Sequence, residues 1–286
     1  MRFVAIGGSS AIGSWVVQRL SARGHNITVV RRLANMDSDT DLACDAAIHM
    51  YVMNGPEAEA FVDAFGQRAD RLLVISSGDV YRAYGVLHRK EHAAVDPDPL
   101  TEEAPLRSVL HLYAEFPEYD KIPVEREVMQ AGGSNCVLRL PAVYGPNDSH
   151  HRAGAWLKQM NSDQPFTLGE SFANWRWTHG YIEDVAEAIA LAAMDARSAG
   201  RIYNVGEAVT PTMFERIEGL GRAFGWRGKI AVTSDEASPL DYRQPMVMDS
   251  SRIRNELGFG ELATAEDALQ RTIAWEVESG YAQRPP

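Results

Sequence analysis

A seven-residue segment near the start of the chain, GGSSAIG from Gly7 to Gly13, has the composition of a diphosphate-binding turn. An apolar run that predicts a strand precedes it, and an amphipathic stretch that predicts a helix follows from Ser14 to Arg23. Small residues let the backbone approach a diphosphate, which the free N–H groups and the positive dipole of a helix N-terminus attract. We therefore predict a dinucleotide site. The expected contacts are Gly7, Ser9, Ser10, Ala11, Ile12 and Gly13.

Three positions around this turn bear on which cofactor binds. Ser10 occupies the place of the usual middle glycine and adds a side chain at the point of closest approach. Arg31 and Arg32 end the second predicted strand, where an acidic residue often holds the ribose 2′-hydroxyl of NAD. A guanidinium there can pair with a 2′-phosphate, which favours NADP(H) and leaves NAD(H) as the other candidate. The alternative for the glycine-rich turn is a tight turn that has lost its ligand. The alternative for Arg31 and Arg32 is that they are solvated surface residues.

Hydrophobic periodicity places these residues in an alternation of strands and helices. Strands are predicted at 2–6, 27–31, 72–75, 137–140 and 201–205, and helices at 12–23, 56–67, 120–131, 183–196, 212–225, 250–257 and 264–279. Only about a dozen polar residues, Leu33 to Cys44, separate the second strand from the next apolar run. That is too short for a helix and a further strand, so a peripheral β-α unit is expected to be shortened or absent. The proline-containing stretch 82–118 is expected to be mostly irregular.

The composition limits the class of protein. The chain has 286 residues, 45% of them hydrophobic, a formal net charge of −11 and two distant cysteines, Cys44 and Cys136. This length suits one large α/β domain or a domain with a small cap. An acidic surface repels nucleic acid and anionic membranes, so neither is an expected partner. No apolar run approaches the roughly 20 residues that span a bilayer. A first strand from residue 3 is expected to leave no room for a leader peptide. With two distant cysteines, we expect a reduced, cytoplasmic protein.

Several longer motifs together resemble the extended short-chain dehydrogenase/reductase superfamily, in its NAD-dependent epimerase/dehydratase branch. They are GGSSAIG, LLVISSGDVY, LTEEAPLR, LRLPAVYGPND, YIEDVAEAIALA and RIYNVG. The resemblance covers nearly the whole chain and implies an α/β fold, a doubly wound parallel sheet with a smaller C-terminal substrate-binding region. It implies a dinucleotide-binding core over 1–146, joined again by about 179–206, with 147–178 and 207–286 as the cap region. Further cofactor contacts are then expected at Pro141 and Val143.

The resemblance also implies catalytic roles. In this family a Ser or Thr after the central strand binds the reacting oxygen, and Ser77 matches that position. A lysine holds the nicotinamide ribose and lowers the pKa of a tyrosine four residues before it, which acts as general acid or base. The segment KIPVE identifies this lysine as Lys121, followed by Glu125 as the family expects. The position four residues before Lys121 is Pro117, so the usual tyrosine is absent from its place.

Three residues are candidates for the missing role. Tyr119 lies two residues before the lysine, which on a helix is a rotation of about 200°. Because Pro123 fits only the first turn of a helix, Asp120 is the expected N-cap and Tyr119 lies outside the helix, free to turn inward. Asp79 and Tyr81, in SSGDVY, are the other candidates. The alternatives are packing for the two tyrosines and a cap or turn for Asp79.

Substrate contacts are expected from Asp79, Tyr81, His151 and Arg176. His151 follows the GPND turn, in a zone that touches substrate in the resembling family. Arg176 lies one place from the arginine that pairs with the diphosphate in members that use nucleotide sugars. The alternative for His151 is an ordinary surface histidine in a loop.

A histidine pair in the middle of the chain raises the question of a metal. His88 and His92 are four residues apart, which on a helix gives them a common face, and Glu91 and Asp96 lie nearby. The segment is charged and bounded by prolines, and no cysteine or third histidine is placed to help. We expect no metal.

These observations predict an NAD(P)-dependent oxidoreductase or epimerase-like enzyme, acting on a small polar carbonyl or hydroxyl substrate such as a sugar or a nucleotide sugar. Reductase, epimerase and dehydratase chemistry all fit. The alternative is an NAD(P)-binding regulatory or scaffold protein without turnover, which the missing tyrosine favours and the retained Lys121 and Ser77 oppose. An RNA-binding role fits poorly with the net charge of −11. The expected partner is a small molecule, and both a monomer and a homodimer remain open.

Overall fold

The computed structural model describes residues 1–35, 42–110, 113–162 and 164–283. The strands in these residues are β1 Arg2–Ile6, β2 Asn26–Val30, β3 Ala46–His49, β4 Leu72–Ser77, β5 Cys136–Leu140, β6 Ala142–Tyr144, β7 Phe166–Gly169, β8 His179–Tyr181, β9 Arg201–Asn204 and β10 Ile230–Thr233. The helices are α1 Ala11–Ala22, α2 Gly55–Phe65, α3 Arg82–Leu87, α4 Lys121–Gln130, α5 Arg152–Met160, α6 Glu170–Asn174, α7 Ile182–Met194, α8 Met213–Phe224, α9 Ser251–Leu257 and α10 Ala265–Glu278.

Six of the strands form one parallel sheet in the order β2-β1-β3-β4-β5-β9. Every neighbouring pair in it is parallel, which requires crossover connections and buries both faces. Helices α1 and α7 cover one face, and α2 and α4 cover the other, each over a continuous apolar cluster. The predicted α/β fold with a doubly wound parallel sheet is confirmed.

At the edge of the sheet next to the glycine-rich turn, the described residues contain one strand, β2, beyond β1. In the described part of the chain, β2 pairs with β1 alone and is followed by a 3-10 turn over Leu33–Asn35. This agrees with the predicted shortening of the peripheral β-α unit. Residues 36–41 of the predicted link lie outside the described residues.

The C-terminal part has its own apolar core, formed by residues of α5, α8 and α10 together with the strand pair β7–β10. Several of its elements were not predicted, because strands such as β7 have only four residues and too few positions to show a period. Stretch 82–118 is irregular as predicted, apart from the six-residue helix α3 and the residues outside the described ones. The boundary at residue 146 stays a prediction.

A buried ion pair lies beneath the carboxyl ends of the central strands. Arg139 on β5 donates from Nη2 to Oε2 of Glu125 on α4 at 2.7 Å, and both side chains are almost fully buried. The Ser76 hydroxyl donates to the other oxygen of Glu125 at 2.5 Å. A second amino group of Arg139 donates to the main-chain oxygen of Glu102 at 2.9 Å. The pair therefore fixes α4 against β4 and β5, where the side chains of the site begin.

Substituting Arg139 with methionine should lower the free energy of unfolding by about 3–5 kcal/mol, because the Glu125 carboxylate loses its buried partner. Chemical denaturation followed by circular dichroism measures the loss. The matched control is Arg126→Met, which removes an exposed pair with Glu127 and should cost less than about 1 kcal/mol. Equal, small losses in both variants would contradict the structural role given to the buried pair.

Candidate active site

A cleft of about 470 Å³ opens at the carboxyl ends of β4 and β5. This is the edge at which parallel α/β sheets bind ligands. The cleft is lined by residues from both the sheet and the C-terminal part: Tyr51, Met53, Ser77, Gly78, Asp79, Tyr84, Tyr113, Phe116, Tyr119, Leu140, Pro141, Ala142, His150, Arg152, Trp177, Met246 and Met248. Three of the four predicted catalytic residues, Ser77, Asp79 and Tyr119, lie in this lining.

Helix α4 begins as the sequence predicts. Asp120 is the N-cap, and its carboxylate accepts the N–H of Ile122 at 3.0 Å. Pro123 lies in the first turn, where no N–H is needed. Tyr119 is therefore outside the helix and is not bound by helical spacing. Its side chain turns into the cleft, and its hydroxyl donates to Oδ2 of Asp79 at 2.8 Å.

The N-cap of α4 is also half of a second buried ion pair. Arg107 donates to both carboxylate oxygens of Asp120, at 2.8 and 3.2 Å, and both side chains are 1% exposed. The Nε atom of Arg107 donates to the main-chain oxygen of Asp79 at 2.8 Å. One guanidinium thus joins the start of α4, the segment before it and the turn that carries Asp79.

Asp79 is the buried acid of the cleft, 5% exposed, on a 3-10 turn that directly follows β4. Its N–H donates to the hydroxyl of Ser77 at 3.3 Å. Its Oδ2 accepts a second phenol, that of Tyr113, at 3.3 Å, and its Oδ1 has no hydrogen-bond partner in the described residues. Burial raises the pKa of Asp79 above its ordinary value, against the lowering effect of the Tyr119 hydrogen bond.

Lys121 lies beside this group but does not reach the tyrosine hydroxyl. Its buried Nζ donates to the main-chain oxygens of Val52 and, at 3.2 Å, of Ile75. It lies 5.5 Å from the centre of the Tyr119 ring, over its face. Burial lowers the pKa of Lys121 to about 8, and the nearby carboxylate of Asp79 opposes that shift.

The glycine-rich turn has the donors that a diphosphate needs. Gly7 has a φ of +75°, and a Cβ on Gly13 would lie 2.3 Å from the Gly7 oxygen, so both positions require glycine. Ser10 caps α1, and its hydroxyl accepts the Gly13 N–H at 3.1 Å. The main-chain N–H groups of Ala11 and Ile12 precede the first bond within the helix, so the helix leaves them free. These donors, on a cradle of small residues, fit a dinucleotide.

The remaining predicted cofactor positions lie around the same edge. Arg31 and Arg32 follow β2 and are exposed. Pro141 lines the cleft, whereas Val143 packs in the apolar cluster at the base of α1. Ser9 is exposed at the turn.

Tyr81 does not line the cleft, in contrast to the expectation that it contacts substrate. It is fully buried, and its hydroxyl donates to Asn204 at 2.6 Å and accepts from Arg139 at 3.0 Å. The 3-10 turn over Gly78–Val80 places Asp79 in the cleft lining, whereas Tyr81 packs in the apolar cluster with Val80 and Ala83. Tyr81 is a core residue by position.

His151 is also placed away from the cleft. It has a left-handed backbone with a φ of +46°, its ring stacks on Tyr281 at 3.8 Å, and its Nδ1 lies 2.7 Å from the Glu276 carboxylate. The left-handed turn directs His151 toward the C-terminal helix and leaves its neighbour, His150, in the cleft lining. His150, and not His151, is therefore in the cleft lining, and the substrate contact expected from His151 stays a prediction.

Arg176 likewise stays outside the cleft lining. It is half-exposed and forms an ion pair with Asp98 at 3.1 Å. Its neighbour Trp177 lines the cleft instead, and the arginine in the lining is Arg152, which donates to Asp148 at 2.7 Å. The substrate contact expected from Arg176 stays a prediction.

Sequence reasoning identified Tyr119 but missed the two aromatic residues before it, Tyr113 and Phe116. Tyr113, Phe116 and Tyr119 are spaced three apart in YAEFPEY, and all three line the cleft. Their regular spacing just before Lys121 was the available signal. His49, at the end of β3, was also missed; burial and the charge of Lys121 lower its pKa to about 4.

Three of the four residues that suggested a metal have other partners. His88 stacks on Tyr84 with ring centres 4.5 Å apart, Glu91 accepts from Ser108, and Asp96 pairs with Arg82. In the described ranges, no three or more His, Cys, Asp or Glu side chains form a group that could hold a metal ion. Nor does any helix in those ranges have the length and apolar character to span a bilayer.

Substituting Asp79 with asparagine should raise the melting temperature at pH 8, by about 2–4 °C for each ~1 kcal/mol gained. The pKa of Asp79 is higher in the folded protein than in the unfolded chain. Above the folded-state pKa, the ionised carboxylate therefore destabilises the fold, and below the unfolded-state pKa this destabilisation is absent. The gain should therefore shrink as the pH falls through the native pKa. Calorimetry between pH 4.5 and 8 measures it.

Asp96→Asn is the matched control for that substitution, because Asp96 is equally buried but paired with Arg82. It should lower the melting temperature at pH 8. A decrease for Asp79→Asn as large as that of the control would contradict an unfavourable buried charge at Asp79.

The whole fold is similar to that of several solved structures. RMD from Pseudomonas aeruginosa, solved with NADPH, has a TM-score of 0.71 and 20% identity, covering 97% of this chain and 99% of that one. The UDP-glucose 4-epimerase of Thermotoga maritima, solved with UDP-glucose, has a TM-score of 0.71 and 16% identity, covering 98% and 99%. At these identities the likeness concerns the fold.

Sequence relatives match over shorter stretches. An uncharacterized Sinorhizobium fredii protein, y4nL, is 26% identical over 174 residues, and the dTDP-glucose 4,6-dehydratase of Streptomyces niveus is 28% identical over 116. The matches cover 51% and 41% of this chain, but only 48% and 33% of those relatives. The sequence model of the NAD dependent epimerase/dehydratase family matches residues 58–206, from α2 through the end of the central sheet. The chain belongs to the NAD dependent epimerase/dehydratase family.

Proposed function

We propose that this chain is an NAD(P)-dependent enzyme that transfers hydride at a carbon bearing a hydroxyl or carbonyl oxygen. One observation carries the proposal. Ser77, Asp79 and Tyr119 meet in a cleft at the carboxyl end of the central strand, and Lys121 lies directly beside them. A hydroxyl, a carboxyl, a phenol and a buried ammonium are the groups that such a reaction uses to bind an oxygen and to move its proton.

Each residue has a role in this proposal. Ser77 binds the reacting oxygen of the substrate, and Tyr119 or Asp79 exchanges the proton. Lys121 holds the nicotinamide ribose with the third donor of its ammonium, since two donors already bind main-chain oxygens. The turn from Gly7 to Gly13 holds the diphosphate. When bound, the nicotinamide supplies or accepts the hydride.

The substrate proposed first is a sugar carried on a nucleotide. The support is the naming of the relatives, one a dTDP-glucose 4,6-dehydratase and another a UDP-glucose 4-epimerase. His150 and Arg152 in the cleft offer donors to hydroxyl or phosphate oxygens. Epimerase, dehydratase and reductase chemistry share the hydride step.

The proposed compartment is the reducing cytoplasm, because Cys44 and Cys136 are free, buried thiols.

A second candidate is an NAD(P)-binding scaffold without turnover. The observation that favours it concerns Tyr119, whose pKa is raised by burial and by the adjacent Asp79 carboxylate. A raised pKa keeps the phenol protonated, and a protonated phenol is a poor proton acceptor on its own. Cofactor binding without turnover of any nucleotide sugar would support the scaffold.

Titration of the intrinsic fluorescence with NADPH and NADH tests the cofactor proposal. We expect NADPH to bind at least about tenfold more tightly, which corresponds to ~1.4 kcal/mol from a charge-assisted contact to the 2′-phosphate. The double substitution Arg31→Ala/Arg32→Ala should remove that preference and leave NADH affinity unchanged. Arg222→Ala, an exposed arginine on α8 paired with Glu218, is the control. Equal affinities of the unmodified protein for both cofactors would refute the NADP(H) preference.

Turnover is tested with UDP-glucose and dTDP-glucose, each with NADP⁺ and NAD⁺, followed by cofactor absorbance and by chromatography of the sugar products. Ser77→Ala should lower kcat by about 10²-fold or more, because the oxygen loses its hydrogen-bonding partner in the transition state. Its NADPH affinity should stay within twofold. Binding without any product would favour the scaffold.

A further inference from the structure

We propose that Tyr119 and Asp79 act as one proton-transfer couple, in which Asp79 takes the phenol proton while the phenol oxygen takes the proton of the substrate hydroxyl. This inference rests on the proposed hydride-transfer function and assigns the base of that reaction. It also gives Tyr113 a role as a positioning residue.

The geometry of the carboxyl carries the proposal. The Tyr119 hydroxyl donates to Oδ2 of Asp79 at 2.8 Å, which is a short, direct path for a proton. Tyr113 approaches the same oxygen at 3.3 Å, and its hydroxyl lies 2.9 Å from that of Tyr84. The rings of Tyr113 and Tyr119 pack edge to face with centres 5.5 Å apart. Two phenols thus hold one carboxylate oxygen in place, on the side of the cleft.

Lys121 does not serve Tyr119 in the way that the family resemblance implies. Its ammonium binds two main-chain oxygens and faces the ring of Tyr119, not the hydroxyl. The strongest effects on the phenol, burial and the Asp79 carboxylate, both raise its pKa. A free phenolate beside a buried carboxylate would place two negative charges in contact in a poorly solvated site. The phenol therefore needs a base that receives its proton as it accepts another.

Asp79 has the properties of that base. Burial raises its pKa, so its carboxylate binds a proton more tightly than an ordinary aspartate does. The charged groups that face it are Arg107, which binds its main-chain oxygen and pairs with Asp120, and Lys121. Both lower the pKa, as do the hydroxyls of Ser77 and Tyr119, but burial outweighs them.

The step balances in both directions. In oxidation, the substrate O–H bond breaks and a new O–H bond forms on the Tyr119 oxygen. The original phenol O–H bond breaks, and its proton bonds to Oδ2 of Asp79. The electron pair released by the substrate O–H bond forms the C=O double bond as hydride leaves the carbon, and a nicotinamide held by the turn from Gly7 to Gly13 would accept that hydride. Reduction follows the same path in reverse and begins with protonated Asp79.

The couple predicts a pH dependence with a definite sign. Oxidation requires the Asp79 carboxylate, so its rate should fall as the pH drops through the native pKa of Asp79. Reduction requires the protonated acid, so its rate should fall as the pH rises through the same value. Asp79→Asn should abolish both inflections, because the amide does not titrate.

The first test needs no substrate. Protein labelled with ¹³C at the aspartate carboxyl carbons is titrated by NMR, and Asp79→Asn assigns the Asp79 signal. We expect a midpoint above the ordinary 3.8 and a further rise in Tyr119→Phe, which loses the donor that favours the carboxylate. Tyr113→Phe should raise it by less, given its longer contact.

The matched control is Tyr203→Phe, which removes another phenol-to-carboxylate hydrogen bond, to Glu256 at 2.7 Å, outside the cleft. It should leave the Asp79 midpoint unchanged. An Asp79 midpoint that does not move in Tyr119→Phe overturns the couple, whatever the function of the protein.

The second test uses turnover of UDP-glucose or dTDP-glucose. Asp79→Asn and Tyr119→Phe should each lower kcat by about 10²-fold or more, and the double variant should lose little beyond either one, because the two act as a unit. NADPH affinity should stay within twofold in all three. Retention of kcat in Asp79→Asn, or multiplied losses in the double variant, overturns the couple.

The two proposals fail in different ways. If the unmodified protein binds neither NADPH nor NADH, or turns over neither sugar with either cofactor, the proposed function on nucleotide sugars is overturned, while the NMR titration still decides whether Tyr119 and Asp79 are coupled. If the protein binds and turns over, but the titration shows no coupling, the proton-transfer couple alone is overturned.

Discussion

The candidate site depends on the ion pair between Arg107 and Asp120. Both side chains are 1% exposed, so the carboxylate of Asp120 and the guanidinium of Arg107 are almost fully desolvated. Removing either partner would leave the other charge buried and unpaired. Asp120 begins helix α4, while Arg107 also binds the turn that carries Asp79. The same contact therefore sets where the helix starts and how far Tyr119 lies from the carboxyl it meets.

That constraint explains how the chain brings together the groups of the proposed hydride-transfer site without the usual tyrosine spacing. A tyrosine four residues before the lysine would share its helical face. Here the helix starts one residue after Asp120, so Tyr119 reaches the cleft from the turns that precede the helix instead. Its phenol meets a carboxylate where the usual arrangement places an ammonium, and the electrostatic environment of the hydroxyl is reversed. The fold of the family is thus retained around a different arrangement of charges.

What could be predicted from sequence follows the range of the interactions involved. The parallel sheet and the N-cap at Asp120 were predictable, because apolar runs and the restrictions of Pro123 are local signals. The convergence of Tyr113 on Asp79 was not, since the two residues are 34 apart in sequence and no local signal connects them. Likewise, His150 and not His151 lines the cleft because of one left-handed backbone position, which periodicity does not reveal.

The account is tested most directly by the distance between the Tyr119 hydroxyl oxygen and Oδ2 of Asp79 in a crystal structure of the protein with NADPH. The distance here is 2.8 Å. We predict that it stays within hydrogen-bond range, with the diphosphate at the turn from Gly7 to Gly13 and the nicotinamide facing Ser77. A structure with NADPH bound there but Tyr119 turned out of the cleft, away from Asp79, would contradict the account.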